Sequence, residues 1–132
     1  MTITLSDFLL ICLAGGLGSM LRASMTSLLS HRLHPAGTIF VINALGSLLI
    51  GFAFGFALGL APSTGAADLP KAFILFGMGL LGGFTTVSTF ALQVHELWLA
   101  GRGRAALITA GGSVLLCPLM AALGLILALG AG

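Results

Sequence analysis

The residues best placed to do chemistry lie in one apolar stretch, where Gly77, Gly79, Gly82 and Gly83 are followed by Thr85-Thr86-Val87-Ser88-Thr89. Glycine lowers the cost of leaving helical geometry, and the hydroxyls supply hydrogen-bond donors where the backbone is loosened. At membrane depth, broken backbone survives only where its freed carbonyls line a cavity, meet a partner chain or hold an ion. The pattern therefore predicts a helix break near residues 82–85. The alternative is a continuous helix whose Thr and Ser hydroxyls bond back to carbonyls one turn earlier.

Three other groups share this apolar setting. Asn43 is an uncharged amide whose N–H groups need acceptors, found either on a neighbouring helix or along an aqueous path. Thr109, Ser113 and Cys117 recur at four-residue steps and so form one stripe on a helix, suited to helix packing or to lining a pore. Arg22 is the one charge expected well inside an apolar run, where it must snorkel, pair or face water; its sign suits an anion path, and a structural anchor is the alternative. Phe84 and Phe90 bracket the hydroxyl cluster, and aromatic edges carry partial positive charge. This inventory of hydroxyls, one amide and ring edges suits a small anion, without naming which.

The elements that must position these groups follow from composition. Of 132 residues, 58% are hydrophobic and 6% charged, against about 25% charged in a soluble domain. Apolar runs cover roughly residues 8–29, 38–61, 72–99 and 104–130, each long enough to cross about 30 Å of hydrocarbon at about 1.5 Å per residue. The expected fold is an all-α membrane protein, a single transmembrane domain over residues 1–132 with four spans, the third broken near mid-membrane. The first run is expected to be retained, since no basic segment precedes it and Arg22 stands where a cleavage site would be sought. Breaks fall at His31-Arg32-Leu33-His34-Pro35, at Pro62-Ser63-Thr64-Gly65 through Asp68-Leu69-Pro70-Lys71, and at Gly101-Arg102-Gly103-Arg104. Arg32, Arg102 and Arg104 against Lys71 would place the first and third loops in the cytoplasm. Ser47, Gly51, Gly55 and Gly59 form a small-residue ridge for close helix packing, and Gly15 with Ser19 a shorter one.

Several functions are disfavoured. The basic residues are scattered, so they make no nucleic-acid surface. Cys12 and Cys117 have neither metal-ligand nor disulfide spacing. Asp7, Asp68, Glu96 and the three histidines fall near helix ends, which leaves no titratable group at the midplane for proton coupling. A small proton-coupled multidrug exporter has this size and layout but needs a buried glutamate in its first helix. A non-transporting assembly subunit would have no use for the hydroxyl cluster. An enzyme is not expected, because no buried nucleophile and base pair can be assembled.

Gly82-Gly83-Phe84-Thr85-Thr86-Val87-Ser88-Thr89-Phe90 resembles the signature of the small fluoride channel family, the Fluc type. Gly18-Ser19-Met20-Leu21-Arg22 is similar to its first-helix motif, Gly37-Thr38 with Asn43-Ala44-Leu45-Gly46-Ser47 to its second, and Ser113 to its fourth-helix serine. The resemblance implies a passive fluoride channel in a bacterial-type inner membrane, embedded in lipid as a dual-topology antiparallel homodimer with a structural sodium ion that is not transported. It implies that main-chain carbonyls of Gly82 and Thr85 hold the sodium. Asn43, Phe90 and Ser113 would line the fluoride pathway, with Thr86, Thr89, Thr109 and Val87 beside them and Arg22 near the vestibule. The chain departs from the family in having Val87 where a second phenylalanine is usual and Thr109 where a tyrosine is frequent. One extra residue also separates Gly37 from Asn43. The loop charges leave open a fixed orientation with a paralogous partner.

Overall fold

The computed structural model describes residues 4–64 and 71–130. Helix α1 (Leu5–Ser30) opens on a capping box: the Thr4 hydroxyl accepts from the Asp7 N–H, and the Asp7 carboxylate accepts from the Thr4 N–H at 3.0 Å. Helix α2 (Pro35–Thr64) begins with proline at its first position, where a missing N–H costs no helical bond. It starts three residues before the expected span and runs three beyond it, 38–61 against 35–64. The expected second loop falls partly outside the described residues, which exclude 65–70 and with them Asp68.

The third span is built in pieces: α3 (Lys71–Phe73), a π-helix (Ile74–Leu81), α4 (Gly82–Phe84) and α5 (Val87–Leu99). Between α4 and α5 the chain is extended, with ψ of 158° at Thr85 and 127° at Thr86. The break thus begins at the C-terminal edge of the predicted segment and includes the next residue. The π-helix was not anticipated. Its wider coil ends where the Gly82 N–H reaches both the Gly77 and Gly79 carbonyls. A turn follows α5, where Gly101 adopts φ +71°, a conformation that favours glycine. Helix α6 (Gly103–Gly130) completes the fold.

Among the described residues, four helices are long and apolar enough to cross a membrane. Their large side chains face outward on every one, including Leu13, Leu17 and Met20 on α1 and Ile108, Leu115 and Leu119 on α6. Helices apolar all round are those whose solvent is lipid. The interior is accordingly small: Ile39, Ile42 and Phe84 form one buried cluster, and Ala36, Leu97 and Ala106 another.

Close backbone approach replaces a large core. Helix α2 packs along α6 and α1 along the glycine-rich half of the third span. At the first contact, a Cβ on Gly51 would overlap the Ala121 carbonyl and one on Gly124 the Leu48 carbonyl. At the second, a Cβ on Gly18 would overlap the Leu80 carbonyl and one on Gly83 the Gly15 carbonyl. The expected ridge on α2 is used in part: Gly51 and Gly55 meet α6, whereas a Cβ on Gly59 would touch nothing within 4 Å among the described residues. On α1, Gly18 is the buried member of the glycine pair contacts. Lys71 Nζ lies 2.9 Å from Asp7 Oδ2 and ties the start of the third span to that of α1.

Candidate functional site at the helix break

The break is held open by a side chain from another helix. Asn43 Nδ2 donates to the Thr86 carbonyl at 2.9 Å, and the Thr86 N–H donates to Asn43 Oδ1 at 2.9 Å. A side-chain amide thus substitutes for the backbone partners that extended residues inside a membrane lack. Thr86 also caps α5: its hydroxyl accepts from the Thr89 N–H at 3.4 Å and lies 3.2 Å from the Thr89 hydroxyl and 3.3 Å from that of Ser88. Thr85 closes the other half, its N–H and hydroxyl both donating to the Leu81 carbonyl, at 3.0 and 3.2 Å. Back-bonding by a hydroxyl therefore occurs at the break rather than in place of it.

Helix α1 contacts the same region. The Gly83 carbonyl accepts from the Ser19 hydroxyl at 3.2 Å and from Arg22 Nε at 3.4 Å. The half-buried Arg22 cation thereby sits at a half-helix C-terminus, where the partial charge is negative. The sequence marks Ser19 as a packing residue and as part of the first-helix motif, but not as a partner of the Gly83 carbonyl. Among the described residues no hydrogen bond ends on the main-chain carbonyls of Gly82 or Thr85.

On the α5 side, a cavity of about 430 Å³ is lined by Asn43, Ser47, Ile50, Thr85, Thr86, Val87, Phe90, Ser113, Val114 and Cys117. The α5 N-terminus brings positive partial charge and first-turn N–H groups to it. Ser113 is 7% exposed and its Oγ has no hydrogen-bond partner among the described residues. A buried hydroxyl that lines a cavity unpaired is a donor in wait of a guest. Phe90 is half-buried against the Ile39, Ile42 and Phe84 cluster, while Val87 is 79% exposed at the rim. Phe84, expected to bracket the hydroxyls from the other side, is buried in that cluster instead and takes no part in the lining. Of the α6 stripe, Ser113 and Cys117 reach the cavity; Thr109 and Thr89 are half-buried outside its lining.

A second cavity of about 220 Å³ lies toward the chain turns, lined by His34, Pro35, Ala36, Gln93, Glu96, Leu97, Ala100 and Arg102. Arg102 Nη1 is 3.4 Å from His34 Nε2, which joins the first and third connections at one end of the molecule. Gln93 Oε1 is buried without a partner, as is the hydroxyl of fully buried Thr38. Phe90, Gln93 and Leu97 share one face of α5, so the two cavities stand one above the other along it. Gln93 had escaped notice in the sequence, although apart from Asn43 it is the only side-chain amide in the chain.

Residues 9–125 match the family described as CrcB-like protein, Camphor Resistance (CrcB). A Brucella suis protein named fluoride-specific ion channel FluC 3 is 39% identical over 120 residues, covering 88% of this chain and 86% of that protein. A fluoride-specific ion channel FluC of Thermus thermophilus is 39% identical over 120 residues, 89% of this chain and 90% of its own. The protein of that name from Gluconobacter oxydans is 39% identical over 119 residues, 88% and 80% of the two chains. With four membrane-crossing helices, a third span broken at Thr85–Thr86 and likeness along nearly its whole length, this chain belongs to the CrcB-like family.

Proposed function

We propose that this chain is a passive, fluoride-selective channel that lowers cytoplasmic fluoride. The observation that carries it is the unpaired, buried Ser113 hydroxyl in the cavity at the α5 N-terminus, beside Asn43 and Phe90. Hydroxyl, N–H and ring-edge donors there replace the water around a small anion, and the narrow path disfavours larger halides. The relatives named fluoride-specific ion channels support the same ion. Fluoride enters cells as its weak acid and is trapped as the anion at higher internal pH. The membrane potential, worth about 2.3 kcal/mol per charge per 100 mV, then drives it out through an open path. No coupling ion is required.

Gly82 and Thr85 offer carbonyl oxygens that, among the described residues, have no hydrogen-bond partner, at the negative end of a half-helix, a donor set suited to a hard monovalent cation. They would hold a structural sodium ion, which supplies fixed positive charge at the break. The working unit is an antiparallel homodimer in which the carbonyls of two copies share that ion. Asn43, Thr86, Val87, Phe90 and Ser113 flank the fluoride path, Thr89 and Thr109 stand next to it outside the cavity lining, and Arg22 anchors the vestibule.

Expression in bacteria stripped of their own fluoride export tests this reading. Growth on fluoride medium should recover with the native chain and not with Ser113→Val. Equal sensitivity of cells with and without the membrane-inserted chain would refute it.

A further inference from the structure

We propose that Cys117 is a soft-metal site in the wall of the break cavity, through which a thiophilic cation such as Hg(II) closes the path. This rests on the reading of that cavity as the fluoride route. Cys117 is half-buried and lines the cavity one helical turn from Ser113, whose buried hydroxyl has no partner. Residues four apart on a helix bring their Cβ atoms to about 6 Å, close enough for one guest to touch both.

The donor set selects the metal. Among the described residues no group of three or more His, Cys, Asp or Glu side chains converges, so zinc and other ions that demand several such ligands find no site. One thiol with a neutral hydroxyl suits a soft cation content with few ligands. Mercuric chloride reacts so that an Sγ–Hg bond forms, the S–H bond and one Hg–Cl bond break, and a proton and a chloride leave. No electron changes hands. The bulky Sγ–Hg–Cl group then stands between Phe90, Val114 and Ser113, across the section that an anion must pass. The other thiol, Cys12, is exposed on α1 outside this lining, so its adduct leaves the path clear.

The test uses full-length C12S and C117S in proteoliposomes loaded with potassium fluoride, read by fluoride release and by mercury bound per chain from intact mass. C12S should bind one mercury at Cys117, lose its efflux and regain it with dithiothreitol. C117S, whatever its own rate, should bind mercury at Cys12 with no change in that rate. C12S that binds one mercury and conducts as before, or whose Cys117 takes up none, would overturn the inference. If untreated C12S and the native chain release no fluoride, the channel reading fails instead, while mercury uptake still decides whether Cys117 is a soft-metal site.

Discussion

Asn43 and Thr86 exchange two hydrogen bonds of 2.9 Å each, one in either direction, across the gap between α2 and the broken third span. The same amide faces the cavity, so one residue both shapes the break and borders the path. Asn43→Leu should therefore fail in two ways at once: the path loses its amide, and loss of both bonds leaves the half-buried Thr86 N–H and carbonyl without their partners, at up to about 1 kcal/mol per group. Asn43→Asp keeps the acceptor, loses the donor when ionised and adds like charge, so conduction should fall further than stability. Thermal unfolding in detergent beside efflux rate separates the two.

Ser113 gives the opposite pattern. Its Oγ makes no hydrogen bond, so Ser113→Ala removes nothing that holds the fold and should alter stability by less than about 0.5 kcal/mol. Fluoride efflux should drop by about tenfold, the worth of one lost interaction of about 1.4 kcal/mol. A stability loss with unchanged efflux would make the hydroxyl structural.

The glycine contacts predict a sharp positional contrast. Gly18→Ala and Gly51→Ala drive a methyl into the Leu80 and Ala121 carbonyls, and overpacking of this kind costs about 1–3 kcal/mol or more. Gly111→Ala meets nothing within 4 Å and should stabilise α6 by up to about 1 kcal/mol through helix propensity alone. Folded yield and melting temperature of the three variants check this ordering.

Sodium removal is the test of the carbonyl site. Purification in N-methylglucamine should reduce efflux and lower the melting temperature, and readdition of sodium should restore both. Indifference to sodium would leave the Gly82 and Thr85 carbonyls to a partner chain's donors.

The break was legible because its residues announce it: four glycines and a hydroxyl run have no use on a regular lipid-facing helix. The π-helix was not, because Ile74-Leu75-Phe76 reads as ordinary apolar helix and the five-residue hydrogen bond leaves no mark on residue type. The role of Asn43 was half legible. An amide in lipid must find partners, but that both lie on Thr86, 43 positions away, is tertiary information. Hydrophobic periodicity could not orient the helices, since side chains facing lipid and those facing protein are equally apolar; the small-residue ridge on α2 and the polar stripe on α6 did so in part. Hence Phe84, expected to bracket the hydroxyls, is core, and a Cβ on Gly59, expected at an interface, would meet nothing within 4 Å among the described residues. Gln93 is identified only by its buried, unpaired oxygen.

The most direct test of fluoride conduction is ion release from proteoliposomes loaded with potassium fluoride, with valinomycin carrying the compensating charge and chloride-loaded vesicles run in parallel. Fluoride should leave rapidly and chloride should stay. Comparable release of both ions, or retention of fluoride by folded, dimeric protein, would contradict a fluoride-selective path through the Thr85–Thr86 break.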